Sequence, residues 1–213
     1  MKSKFATLAV LAAVAISALA QSAPAPKTDE QQPHNKAQTK EELVKYMEQT
    51  RQNFLDSVKG LSEAQLKFKP APDKWSVMEV SEHIALSEDY LGGSAVKLMS
   101  TPVAEKKSAT PGSDNQLVAV ITDRSKKFQA PDPLKPTGKW ATEGDILSAF
   151  NASRDKYIDW VQKTPEKDLR AHLQAGPAGE LDAHEWILFM AAHSARHTKQ
   201  IEEVKADPNF PKS

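Results

Sequence analysis

Cysteine is absent from the 213 residues. That excludes a disulfide scaffold, a thiolate metal site and a cysteine nucleophile. Glycine is scarce, at 8, and the 14 prolines are too few for a collagenous or broadly low-complexity chain. A surplus of charge is missing as well, because 28 Lys and Arg balance 28 Asp and Glu. No nucleic-acid partner is therefore expected, since such binders rely on a positive excess. What is left is a soluble globular domain whose strongest metal ligands are its six histidines.

The one long apolar run, Ala6–Ala20, follows Lys2 and Lys4 and ends Ala18-Leu19-Ala20. A basic start, an apolar middle and an A-x-A end predict a signal peptide over residues 1–20, cleaved after Ala20. The run is short for a bilayer span, so no stable membrane insertion is expected after cleavage. The expected location is periplasmic or secreted, where a lack of free thiols is also advantageous. Loss of Lys2 and Lys4 leaves 26 basic residues against 28 acidic, a net charge of −2. Residues 21–38, rich in Pro, Ala, Gln and Lys, read as a flexible tether.

Beyond the tether the pattern is helical. Thr39 with Glu42 forms a capping box before Leu43, Tyr46, Met47, Phe54 and Val58, predicting a helix over Lys40–Lys59. Ser76 with Glu79 starts a second, over Val77–Ser100, with Val80, Ile84, Leu91 and Leu98 as its stripe. Gly92-Gly93 weakens its middle, where the helix could kink or end. A third helix runs from after Thr142 to Lys163, and a fourth from near Asp182 to Lys205. Residues 206–213 read as a tail. No credible strands appear, so the expected fold class is all-α, a four-helix bundle over residues 39–205. The second connection, Thr101–Ala141, is long and broken by Pro102, Pro111, Pro131, Pro133 and Pro136, with a short helix expected at Asp114–Phe128. It is long enough for a crossover that leaves the second and third helices parallel.

The chemistry lies in three histidines. His193 and His197 are four residues apart, hence within about 40° of each other and one turn apart. They share the stripe of Met190 and Ile201, so they point inward, and buried imidazoles need a partner that a cation supplies. His83 lies on the second helix beside Val80, Ile84 and Ser87. It sits about 10 Å from that helix's start, while His193 and His197 lie about 18 and 12 Å before the end of the fourth. The depths agree if the two helices are antiparallel, as in an up-down-down-up bundle. His184 falls about 180° around the helix from His193 and does not join.

Spacing removes several alternatives. Ser194 follows His193, so the H-E-x-x-H of metalloproteases is missing. Val80, Met190 and Ser194 stand where a di-iron bundle needs Glu before His. No G-x-S-x-G elbow occurs, although a dispersed Ser-His-Asp arrangement is not removed by spacing. The pattern fits a single ion on three neutral imidazoles with one open position. Gln200, on the same stripe, and Arg196, about 100° from His197, are candidates for contacts behind the ligands or to substrate. Glu82 and Glu88 are weaker candidates for a general base.

Pro72-Asp73-Lys74-Trp75-Ser76-Val77-Met78-Glu79-Val80, then His83-Ile84, and later His193-Ser194-Ala195-Arg196-His197-Thr198-Lys199-Gln200-Ile201 resemble the DinB-like (damage-inducible) family of four-helix-bundle metalloenzymes. The resemblance implies an up-down-down-up bundle and a divalent ion, usually Zn or Ni, on His83, His193 and His197. It also implies bundles that often pair, so a homodimer is an expectation. Relatives include thiol-dependent transferases and isomerases, a chemistry that sits poorly with export. The expected function is a metal-dependent hydrolase or transferase acting on a small molecule. The alternatives are an extracytoplasmic module that binds metal or a small ligand without turnover, and a metal-free bundle with a satisfied histidine cluster.

Overall fold

The computed structural model describes residues 38–105, 113–176 and 179–212. The segment read as a signal peptide, and the tether up to residue 37, lie outside the described residues. Four long helices form the body: α1 (Lys40–Val58), α3 (Val77–Leu98), α5 (Glu143–Lys163) and α7 (Ala183–Lys205). Short helices α2 (Glu63–Lys67), α4 (Ser113–Thr122) and α6 (Glu166–Leu169) lie between them. Each long helix opens on a capping box, in which an N-cap side chain and an N3 acid satisfy each other's backbone donors. The pairs are Thr39 with Glu42, Ser76 with Glu79, Thr142 with Asp145, and Asp182 with Glu185.

Side-chain pairings fix the directions. Lys40 at the start of α1 donates to carbonyls of Gln162 and Thr164 at the end of α5, so those helices are antiparallel. Lys205 at the end of α7 donates to Ser57 at the end of α1, so those two are parallel. Glu82 meets residues 137–139 before α5, and Asp89 meets Tyr157 within it, so α3 and α5 run together. The topology is up-down-down-up, with α7 and α5 each packed between α1 and α3.

One polar network ties all four helices. Arg154 of α5 is fully buried and donates to both carboxylate oxygens of Glu88 on α3, at 2.8 and 2.6 Å. It also bonds Thr50 and the Met47 carbonyl of α1, and Ser194 of α7 at 3.1 Å. The apolar core divides around this layer. Phe54, Val80, Ile84, Phe150 and Ile201 pack in one cluster, and Met47, Leu91, Tyr157, Ile187 and Met190 in the other.

Three local expectations are corrected. α3 runs unbroken through Gly92-Gly93, and the glycine serves packing: the Tyr157 ring lies against Gly92, where a Cβ would stand 2.3 Å from it. The short crossover helix ends at Thr122, not near Phe128. Asp123 bends the chain by accepting from the Ser125 amide, and the Arg196 guanidinium takes the Ile121 and Asp123 carbonyls. A hairpin went unforeseen: β1 (Gln174–Gly176) pairs antiparallel with β2 (Gly179–Leu181). Three-residue strands are too short for period-2 alternation to show. After α7 the chain stays docked, with Phe210 edge-on to Phe68 at 5.5 Å.

Candidate metal centre

His83 comes from α3, and His193 and His197 from α7. Antiparallel packing brings them to one level. Ring centroids are 4.4 Å apart for His83 and His197, 4.4 Å for His193 and His197, and 5.0 Å for His83 and His193. One nitrogen from each ring can be chosen so that all three lie within 4.8 Å of one another. No Asp or Glu joins this group among the described residues.

Two rings are held from behind. His83 Nδ1 lies 2.7 Å from the Leu134 carbonyl, which only accepts, so Nδ1 carries the proton and Nε2 keeps its lone pair. The Leu134 carbonyl is delivered by a turn of 3-10 helix, Asp132–Leu134, in the crossover. The strap behind it is anchored by Glu82, the neighbour of His83. The Glu82 carboxylate is buried and accepts the amides of Thr137, Gly138 and Lys139. Gly138 has φ +75°, a conformation a side chain would strain. His197 Nδ1 lies 2.8 Å from Gln200 Oε1. His193 differs, because its Nδ1 is buried with no hydrogen-bond partner. Taken as a whole residue, His193 is less buried than His83 and His197. Trp75, 5.0 Å from His83, and Phe189, 6.2 Å from His193, wall the cluster.

The residues fit a cation. Three imidazoles crowded together cannot all charge, and burial disfavours their charged forms. It pushes His193 well below the usual range, His197 to about 3, and His83 down against the opposing pull of the Leu134 bond. Repulsion from neighbouring imidazoles adds to this at His193 and His197. Neutral imidazole is the ligating form, and one buried ring nitrogen lacks a protein partner.

A pH dependence follows. Folded-state pKa values below the unfolded value of about 6.5 leave stability intact above that pH. As pH falls below it, the unfolded chain takes up protons that the folded one refuses. Each imidazole then removes up to about 1.4 kcal/mol per pH unit. Urea unfolding in the presence of a chelator should therefore show lower stability at pH 5.0 than at pH 7.5. The His193→Ala/His197→Ala variant should flatten that difference; an equal slope would assign it to other groups.

The remaining candidates separate cleanly. Gln200 joins the cluster through His197. Arg196 is committed to the crossover, on the carbonyls of Ile121, Asp123 and Lys126, with its guanidinium over the Phe128 ring. Glu82 and Glu88 are engaged elsewhere: one holds the strap and the other pairs with Arg154. His184 lies against Glu166, away from the cluster. The Leu134 carbonyl was not anticipated, because a backbone acceptor leaves no residue-type signature.

Comparison with known proteins agrees with this picture. The chain is 26% identical over 150 residues to the uncharacterized protein YuaE of Bacillus subtilis, covering 70% of this chain and 89% of that protein. Its fold is similar to that of YfiT from Bacillus subtilis, described as "a probable metal-dependent hydrolase with an unusual four-helix bundle topology". There the TM-score is 0.57 at 12% identity, over 87% of this chain and 95% of YfiT. It is also similar to TT2238, a four-helix bundle protein, with a TM-score of 0.50 at 19% identity, over 78% of this chain and 99% of that one. Residues 46–201, from within α1 to the last turns of α7, match the DinB superfamily, and the chain belongs to it.

Proposed function

We propose that this protein is a metal-dependent hydrolase or transferase that holds one divalent ion, zinc or nickel, on His83, His193 and His197. The observation that carries the reading is the convergence of three neutral imidazoles from two antiparallel helices, one with an orphaned buried nitrogen. Similarity in fold to YfiT supports the hydrolase side of the reading. The basic start, apolar run and A-x-A end of residues 1–20 support a place of action outside the cytoplasm.

When bound, the ion would supply Lewis-acid chemistry, activating water or a thiol and polarising a substrate group. The protein's part is orientation. Leu134 and Gln200 fix the His83 and His197 rings, as outer partners of ligating histidines do. Trp75 and Phe189 shield two sides of the cluster with apolar surface.

The test is metal content followed by turnover. Protein purified without chelator should hold about one ion per chain, as tight three-histidine binding predicts. Loaded protein is then screened on esters, amides and thiol acceptors. Activity should vanish in His83→Ala and with chelator. Activity that survives both overturns the metal mechanism, and stoichiometric metal without turnover favours a binding module.

A further inference from the structure

The crossover between α3 and α5 reaches the cluster by two arms. One is the Leu134 carbonyl on His83. The other begins at Arg124, just past α4. Its guanidinium is clamped on Glu203 of α7 by bonds of 2.9 and 2.5 Å, and it donates to Gln200 Oε1 at 3.3 Å. The same Oε1 faces His197 Nδ1.

We propose that Arg124 is a positioning residue for the metal centre, holding the Gln200 amide in the orientation that keeps His197 protonated at Nδ1 and presents Nε2 to the ion. The inference rests on the metal reading above. A guanidinium only donates, so it must meet the amide oxygen; the turned-over amide would set donor against donor. With the oxygen in place, His197 Nδ1 can only donate to it, and Nε2 is left with its lone pair. Without Arg124 the amide is free to turn over, because its NH2 group would donate to Nδ1 equally well. The imidazole proton would then sit on Nε2, and the ligating lone pair would be lost. Glu203 fixes the plane of the guanidinium, and Arg196, by taking carbonyls of the same turn, holds the segment that carries Arg124. The crossover is thereby coupled to the ligand orientation of α7, a helix distant from it in sequence.

The test uses Arg124→Met alone and in a Gln200→Glu background, where a carboxylate accepts from Nδ1 with no amide left to turn. Zinc affinity is measured by chelator competition, and 15N NMR of the metal-free protein reads the His197 tautomer. Arg124→Met should weaken zinc binding about tenfold, as loss of an outer partner does, and should mix the tautomers. In the Gln200→Glu background the same replacement should change affinity by no more than about twofold and leave Nδ1 protonated. Equal losses in both backgrounds, or an unmixed tautomer in Arg124→Met, overturn the proposal. A wild-type protein that takes up neither zinc nor nickel overturns the metal reading, while the tautomer spectra still decide whether Arg124 selects the proton's position.

Discussion

Replacement of His193 by Ala should weaken zinc binding between about a hundredfold and a thousandfold. Zinc held by four protein ligands in small domains is worth about 10–16 kcal/mol, or roughly 3 kcal/mol and more per ligand. Each factor of ten corresponds to about 1.4 kcal/mol. Stability reads the same loss. At a thousandfold excess over the dissociation constant, a ligand stabilises the folded state by about 4 kcal/mol. For a chain of this size that raises the melting temperature by roughly 8–16 °C. The variant should lose this gain. In a chelator it should melt within a few degrees of the unchanged protein, because the buried Nδ1 it loses makes no hydrogen bond. A variant that keeps the full zinc-dependent rise would remove His193 from the ligand set.

The second large effect is on folding alone. Glu88→Ala should cost about 3–5 kcal/mol, because it strands a fully buried guanidinium. Arg154 is 0% and Glu88 1% exposed, so bulk solvent does not reach the stranded charge directly. Urea unfolding should show the loss with or without zinc, which separates it from any ligand effect. The Arg154→Met/Glu88→Leu pair should recover most of it, since an apolar replacement of a buried ion pair is often neutral. If Glu88→Ala alone is nearly neutral, the pair does not hold the four helices together as described.

The helices were legible because their signals are local. A capping box spans four residues, and an apolar stripe repeats every turn, so each long helix declared its start and buried face. His193 and His197 were legible for the same reason, being one turn apart on one stripe. The polar layer was missed, although a signal for it was present. Glu88 falls between Ile84 and Leu91, and Arg154 between Phe150 and Tyr157, all at helical spacing. A charge within an apolar stripe signals burial, yet nothing in either helix says that the two charges meet.

The sequence by itself determined the four long helices, their buried sides and which histidines face inward. It also gave a depth for His83 that matched the later pair. Only the tertiary structure decided that α3 and α7 are neighbours, because a position along a helix says nothing of which corner that helix occupies. Only it supplied the Leu134 carbonyl, the Glu82 anchor and the Arg124–Gln200 link. Those contacts join residues far apart in the chain through backbone groups and fixed side-chain angles, and no local pattern of residue types encodes them.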